Sequence, residues 1–478
     1  MHDLLTDLMD SAALRADYAD ARHVRSRAEA ISTRNGAVDE VDSSSEEGVG
    51  VRVRMGGAWG FAATRGLDKP SLEAALARAL AIAAAQPQAP ASGLLPEPPA
   101  RGSWQNSAQI DPFTVPLDHK LAVLVEADEA MRGDSRIAVT TAQFLAFAEE
   151  RTFASTEGAL CDQRVVKCGG GVSALAVSAG ESQVRSFPAS HGGDVAQAGY
   201  EHFTALGLRE NAPRLAEEAI ALLTAPACPS GTATLVLGGQ QVALQLHESV
   251  GHAVELDRVL GSEAAYAGTS FVSATDTGSL RYGSEQMNVT ADATSAAGLG
   301  SFGWDDEGVE ARAEPIVRDG VLRGFLSSRE SGAEIGLERS AGCMRADGFA
   351  RQPLVRMTNF NLEPGTAGTL EDLIASTDRG LYLESNRSWS IDSRRLQFQF
   401  ATEAAWEIVD GVRGRLLRNP SYAGITPEFW ARLDAVCSEQ EWRMWGLLNC
   451  GKGEPGQSMH VGHGTAPARF RDIQIGVA

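Results

Sequence analysis

Residues 246–252 read LHESVGH, which places two imidazoles and one carboxylate within a short segment of helical apolar spacing. A strand predicted at 232–237 and a glycine pair precede a predicted helix from about residue 240 to 256. Imidazole nitrogen is a common zinc ligand, and the carboxylate of Glu248 can take a proton from a water molecule beside it. The segment therefore indicates a hydrolytic metal site in the second half of the chain.

The spacing of the two histidines is unusual for a zinc helix. His247 and His252 are five residues apart, whereas four residues place two ligands on one helical face. On a regular helix they would be separated by about 140°. A π-bulge brings residues five apart into register, and Gly251 tolerates such a distortion. We therefore predict a widened helix here, or one that ends near Gly251. Glu255 and Asp257 are either partners that orient an imidazole or solvated helix charges.

A third ligand is available far away in sequence. Cys450 lies in the stretch LLNCGK at 447–452, and a thiolate with two imidazoles leaves one zinc position for water. His460 and His463 compete with Cys450 for that role. The residues alone also fit ordinary core histidines and a cysteine buried as a small hydrophobe, so both alternatives stay open at this point.

Composition narrows the class of protein. Lys and Arg number 42 against 62 Asp and Glu, which gives a net charge of -20 and disfavours a nucleic-acid partner. The chain has no apolar run of the roughly 20 residues needed to cross a membrane, and its N-terminus lacks the pattern of a signal peptide. The six cysteines are scattered without paired spacing. We therefore predict a protein of the reducing cytoplasm, without a membrane or nucleic-acid partner.

The pattern of elements predicts an α+β fold in two domains, 1–225 and 226–478, with the boundary at the stretch APACPSG. The first domain is predicted to carry an antiparallel sheet, and the second to be β-rich and to bind the metal. Further expected features of the first domain are a hairpin turn at Asn35-Gly36, a linker over 86–112, and helices at 4–20, 71–85, 117–131 and 211–223.

A series of motifs runs in order along nearly the whole chain. They are VRV at 51–53 with GFA at 60–62, HESVGH at 247–252, GWDDEG at 303–308, DGVLRG at 319–324, RMTN at 356–359, and CGK at 450–452 with GQS at 456–458. Together these motifs resemble those of the TldD/PmbA family of cytoplasmic metallopeptidases.

The resemblance is to the catalytic, TldD-like branch, and it implies a zinc ion held by His247, His252 and Cys450. It implies Glu248 as the general base, an α+β N-terminal domain and a β-rich metal domain. It also implies a dimer, either of two copies or with a metal-free PmbA-like relative, that cleaves unfolded or short peptides. An extended peptide would add as a strand to an open sheet edge.

Two segments depart from the family pattern. Residues 384–396 carry Trp389, Arg394 and Arg395 in place of an expected glycine-rich pattern, and residues 437–446 carry two tryptophans among charged side chains. These departures affect the expected substrate and dimer surface more than the chemistry.

Several roles and two rival functions stay open. Asp305, Asp306, Glu307 and Arg356 either position substrate or brace strands. One rival is a non-catalytic peptide-binding or regulatory subunit, against which the intact metal residues argue. The other is an amidohydrolase of small molecules, which a closed pocket would favour and a wide channel with an open sheet edge would disfavour.

Overall fold

The computed structural model describes residues 1–86, 93–453 and 455–476. The first half of the chain forms a long sheet with helices packed against it. Its elements are α1 His2–Ala13, β1 Tyr18–Arg34, β2 Ala37–Met55, β3 Ala58–Thr64, α2 Lys69–Ala85, β4 Arg101–Gln105, α3 Leu117–Ala130, β5 Ile137–Ser155, β6 Leu160–Ser178, β7 Glu181–Phe187, β8 Asp194–Ala196, α4 Tyr200–Ala205 and α5 Leu208–Thr224.

The sheet of the first half runs in the order β3-β2-β1-β5-β6-β4, and β7 and β8 also pair with β6. All its pairings are antiparallel except β4 on β6. The predicted turn at Asn35-Gly36 joins β1 to β2, with φ values of 53° and 78°. Such positive values are what a two-residue hairpin turn needs, which confirms this prediction.

Alternate side chains of the sheet pack under the helices. One cluster joins α1 and α2 to the strands through Leu5, Leu72 and Val51, and a second joins α3 and α5 through Leu124 and Phe144. Apolar residues recur at every second position on the strands and at helical spacing on the helices. One face of the sheet and one face of each helix are therefore apolar, and these faces pack against each other. In the described ranges, no helix is long and apolar enough to cross a membrane.

Residues 37–47 of β2 form an open edge of the sheet. The pairing of β2 with β3 covers only Val49–Met55, so this segment has β1 as its single neighbouring strand within the described part of the chain. Every residue from 37 to 46 is exposed. The structure thus contains the kind of edge to which an extended chain can add.

Two predictions for the first half were wrong in their bounds. The helix predicted over 4–20 ends at Ala13, because Asp17 already pairs with the end of β2 through its backbone N–H, which donates to the Arg54 carbonyl. The linker predicted over 86–112 contains β4, whose mostly exposed backbone pairs in parallel with β6. Residues 87–92 of that linker lie outside the described residues.

The second half is rich in strands, as predicted. Its elements are β9 Gly231–Leu237, α6 Gly239–Leu246, α7 Leu256–Val259, β10 Val289–Asp292, β11 Ala313–Arg318, β12 Val321–Leu322, α8 Arg329–Glu334, β13 Met344–Arg345, β14 Leu354–Val355, β15 Phe360–Leu362, α9 Leu370–Ala375, β16 Arg379–Ile391, β17 Gln397–Val409, β18 Val412–Leu417, β19 Ser421–Ile425, α10 Thr426–Ala431, β20 Leu433–Val436, β21 Arg443–Lys452, β22 Gln457–Thr465 and β23 Ala468–Ile475. The mixed architecture confirms the α+β class.

A closed ring of strands carries the helix of the candidate site. The pairings β16-β9-β23-β19-β17 return to β16, and the end of β9 leads directly into α6. The large core cluster of the second half includes the ring residues Leu235, Phe400 and Phe470 together with Leu246 and Val250 from the helical segment. The segment is therefore held rigidly against the ring.

Asp306 and Glu307 brace the two halves of the chain against each other, and Asp305 braces its own turn. Asp306 accepts from Arg22 at 3.2 Å and from Arg151 at 2.5 Å, and Glu307 accepts from Arg52 at 3.4 Å. Asp305 accepts the backbone N–H groups of its own turn and of residue 344. These contacts favour bracing over substrate positioning for all three residues.

We expect Asp306→Asn to lower the free energy of unfolding by roughly 3 kcal/mol, because it leaves the buried Arg22 guanidinium without its carboxylate and removes one of the two carboxylates that pair with Arg151. Urea unfolding followed by circular dichroism measures the change. Asp42→Asn, at an exposed position of β2, is the control and should leave the unfolding free energy within about 0.5 kcal/mol. A loss below about 1 kcal/mol for Asp306→Asn would contradict the bracing role.

Candidate metal centre

The helix that follows β9 widens between His247 and His252, where the five-residue spacing of these histidines predicts it. α6 continues as a π-helix over His247–Gly251 and then as a 3-10 turn over His252–Val254. The backbone N–H of His252 donates to the carbonyl of His247, five residues back. This confirms the predicted local widening, although the regular helix predicted to residue 256 ends earlier.

Gly251 has a packing role at this point. Its φ is -53°, so it needs no special backbone freedom. A Cβ there would lie 2.1 Å from the Sδ atom of Met357. A side chain at residue 251 would therefore force the Met357 side chain away from the widened turn.

The widened turn and the β21–β22 hairpin bring three metal-ligating side chains together. One ligand atom each from His247, His252 and Cys450 lies within 4.8 Å of the other two. The Cys450 Sγ and His252 Nε2 atoms are 3.6 Å apart. All three side chains are buried. The three predicted ligands thus converge although they come from positions 200 residues apart in the chain.

His463 orients the ring of His247. Its Nε2 atom lies 2.8 Å from His247 Nδ1, and its Nδ1 atom lies 3.0 Å from the carbonyl of Phe360. A carbonyl only accepts, so His463 donates from Nδ1 and accepts at Nε2, and His247 donates from Nδ1. The lone pair of His247 Nε2 then stays free for a metal, and burial lowers the pKa of His247 to about 4, which keeps the ring neutral.

Glu255 does the same for His252. Its carboxylate accepts from His252 Nδ1 at 2.9 Å and lies 3.3 Å from the Lys452 ammonium. Although burial opposes ionisation, Lys452 and His252 hold the pKa of Glu255 well below its usual range. Of the two alternatives left open for Glu255, this geometry fits the orienting role. Asp257 instead pairs with Lys452 at 2.8 Å, so it neither contacts an imidazole nor is a freely solvated charge.

Arg356 fixes the strand that carries Cys450. Its guanidinium donates to the Cys450 carbonyl on β21 and, at 3.2 Å, to the Gln457 carbonyl on β22. Burial raises the pKa of the Cys450 thiol, but the His252 ring and the Arg356 charge outweigh it and lower the pKa below the ordinary value. Of the two roles left open for Arg356, the contacts favour bracing of strands over positioning of substrate. The same guanidinium also favours the thiolate form of Cys450.

Glu248 projects from the same widened turn. Its Oε2 atom accepts from the Arg395 guanidinium at 2.5 Å, and the Trp389 side chain also hydrogen-bonds to it. Burial opposes ionisation, but the two imidazoles and Arg395 lower the pKa of Glu248. The carboxylate is therefore ionised and able to accept a proton.

Sequence reasoning missed two parts of this arrangement. His463 appeared as a competing ligand, whereas it hydrogen-bonds to the candidate ligand His247, and His460 lies elsewhere against Lys167 and Phe147. Arg395 appeared only within a segment that departs from the family pattern. Its contact with Glu248 depends on how the β16–β17 hairpin folds over the helix, which has no local signal.

Sequence profiles of known families match three parts of the chain. They are PmbA/TldA metallopeptidase domain 1 at residues 19–83, the central domain at 110–225 and the C-terminal domain at 230–477. The last profile alone covers more than half of the chain.

Individual relatives agree with these profiles. A metalloprotease of Methanothermobacter thermautotrophicus is 29% identical over 99% of this chain and 97% of its own length. A zinc metalloprotease TldD homolog of Saccharolobus solfataricus is 25% identical over 52% of each chain. The structure of TldE from Thermococcus kodakarensis has the same fold, with a TM-score of 0.73 at 16% identity over 99% of this chain and all of that one. The chain therefore belongs to the PmbA/TldD family of metallopeptidases.

Proposed function

We propose that this protein is a zinc-dependent peptidase that cleaves unfolded or short peptides by attack of water. The observation that carries the proposal is the convergence of His247, His252 and Cys450 beside the carboxylate of Glu248. The printed name of the Saccharolobus relative, a zinc metalloprotease, supports the choice of metal.

The donor set fits zinc. Zinc accepts nitrogen and sulfur ligands at about 2.0 and 2.3 Å in a tetrahedral array, which puts neighbouring ligand atoms roughly 3.4 to 3.6 Å apart. The Cys450 Sγ to His252 Nε2 separation of 3.6 Å matches that value. Both imidazoles use Nδ1 for buried partners, which is the arrangement that orients metal-bound histidines.

His247, His252 and Cys450 would hold the zinc ion and leave one position open. When bound, zinc would lower the pKa of water at that position and polarise the scissile carbonyl. Glu248, ionised and next to His247, accepts the proton of the attacking water and delivers it to the leaving amine. Glu255, Lys452, His463 and Arg356 keep the rings and the Cys450 strand in place.

The proposal extends to substrate path, assembly and location. The open edge at residues 37–47 of β2 would take an extended peptide as an added strand, which suits flexible chains and disfavours the small-molecule amidohydrolase. We propose a cytoplasmic dimer, either of two copies or with a PmbA-like relative. A non-catalytic subunit has no need for the four converging side chains, which argues against that rival.

We expect Glu248→Gln to retain zinc but to slow peptide cleavage by about 100-fold or more, because it removes the proton acceptor and keeps the ligands. Zinc content by plasma mass spectrometry and cleavage of an unfolded casein substrate measure the two effects. Cys450→Ala should lose zinc and cleavage together, since it removes a ligand.

Cys343→Ala is the matched control for the loss of Cys450. Cys343 is also a buried thiol, but it contacts the Ser327 carbonyl rather than the centre. It should keep one zinc per chain. Full cleavage by Glu248→Gln would contradict the assigned base, and zinc retained at full level in Cys450→Ala would contradict the ligand set.

We expect His463→Phe to weaken zinc binding by about 10- to 100-fold, because His247 then loses the hydrogen bond that fixes its tautomer and ring orientation. Competition with a chromophoric chelator gives the zinc affinity. His460→Phe, three residues along the same strand, is the control and should bind zinc like the parent. Equal affinities for all three proteins would show that His463 does not support the centre.

A further inference from the structure

We infer that Arg395 is a specificity residue that binds a carboxylate of the substrate next to the scissile bond, which makes peptides with a free C-terminal carboxylate the preferred substrates. The inference rests on the proposed function and names the substrate class of the same site. It depends on the position of Arg395, on its unused donors and on a small apolar niche lined by Trp389, which hydrogen-bonds to Glu248.

Arg395 is held firmly at the turn between β16 and β17. Its φ is 62°, and the hydroxyl of Thr426 donates to its carbonyl at 2.8 Å. The next backbone N–H, of Leu396, donates to the Asp392 carboxylate at 2.7 Å. A guanidinium on a pinned turn is preorganised, so little conformational entropy is lost when it binds a ligand.

The donors of Arg395 are only partly used. Nη1 donates to Glu248, whereas the buried Nε has no hydrogen-bond partner and Nη2 donates to no residue in the described part of the chain. A buried charged donor without an acceptor is costly. Nη2 is not buried, so it is the unused donor that a substrate anion can reach, and a hydrogen bond from a guanidinium to a carboxylate is a strong one.

A small, mostly apolar niche lies against Trp389, the residue that hydrogen-bonds to Glu248. Trp389 reaches Glu248, and His463, which contacts His247, also lines the niche. The cavity volume is about 30 Å³. Its other lining residues include His191, Leu244, Trp445 and Leu447. The niche therefore suits a small apolar side chain such as that of alanine, and we place the backbone carboxylate of the same residue at Arg395, on the other side of Trp389.

The two possible roles of Arg395, binding a substrate carboxylate or only holding Glu248, predict different binding of charged peptides. Its guanidinium faces Glu248, with Glu255 and Arg258 farther away, and the next residue in sequence, Arg394, is exposed. If Arg395 served only to hold Glu248, a peptide acid and its amide would bind equally. If Arg395 binds the substrate, the acid binds more tightly, because only the acid supplies a second carboxylate.

The experiment compares peptide binding without turnover. Zinc-loaded Glu248→Gln protein is titrated calorimetrically with acetyl-Ala-Ala-Ala, with its C-terminal amide, and with acetyl-Ala-Ala-Glu-amide. We expect the free acid to bind about 10-fold or more tightly than the amide. In Glu248→Gln/Arg395→Ala the difference should fall below about twofold. The third peptide has a side-chain carboxylate but no C-terminal one. It binds as tightly as the free acid only if the site accepts a side-chain carboxylate.

Glu248→Gln/Arg394→Ala is the matched control, because it removes the same charge from the same turn, and it should keep the preference. Equal binding of acid and amide in Glu248→Gln, a preference that survives removal of Arg395, or no binding of the acid would each overturn the inference. Because binding is measured without cleavage, a failure of the proposed peptidase activity in the parent protein is seen separately. Arg395→Lys should restore part of the preference, because it keeps a positive charge at this position.

Discussion

Two imidazoles five residues apart can face one point only if the helix that carries them widens. The hydrogen bond from the His252 N–H to the His247 carbonyl marks that widening. The surroundings stabilise it, since the Tyr282 hydroxyl donates to the Ser249 carbonyl at 2.7 Å and the Trp430 indole donates to the Ser249 hydroxyl at 2.9 Å. The absence of a side chain at Gly251 then allows Met357 to pack closely. The centre depends on this single turn.

Neighbouring side chains orient the two imidazoles and the strand of Cys450. His463 and Glu255 each occupy the Nδ1 atom of one ring, so both Nε2 atoms remain available on the side of Cys450. Arg356 donates hydrogen bonds to two backbone carbonyls of the hairpin that carries Cys450. These buried hydrogen bonds fix the two rings and the hairpin before any metal binds.

Sequence patterns predicted the elements whose signals are local. The Asn35-Gly36 hairpin, the helices at 71–85, 117–131 and 211–223, and the widened turn all follow from periodicity, turn residues or spacing. Convergence of His247, His252 and Cys450 was expected from the family resemblance, because spacing alone left His460 and His463 open. The contacts of Arg395 and His463, and the pairs that join Asp306 to Arg22 and Arg151, depend on packing between distant segments. Contacts between distant segments produce no pattern that can be recognised in a short stretch of one sequence.

X-ray absorption at the zinc edge of the purified protein tests the central claim most directly, because it reports the atoms bound to the ion. The account predicts one sulfur ligand at about 2.3 Å and two imidazole nitrogens at about 2.0 Å, with the sulfur signal lost in Cys450→Ala. A zinc environment of nitrogen and oxygen alone in the parent protein, or a sulfur ligand that persists without Cys450, would contradict it.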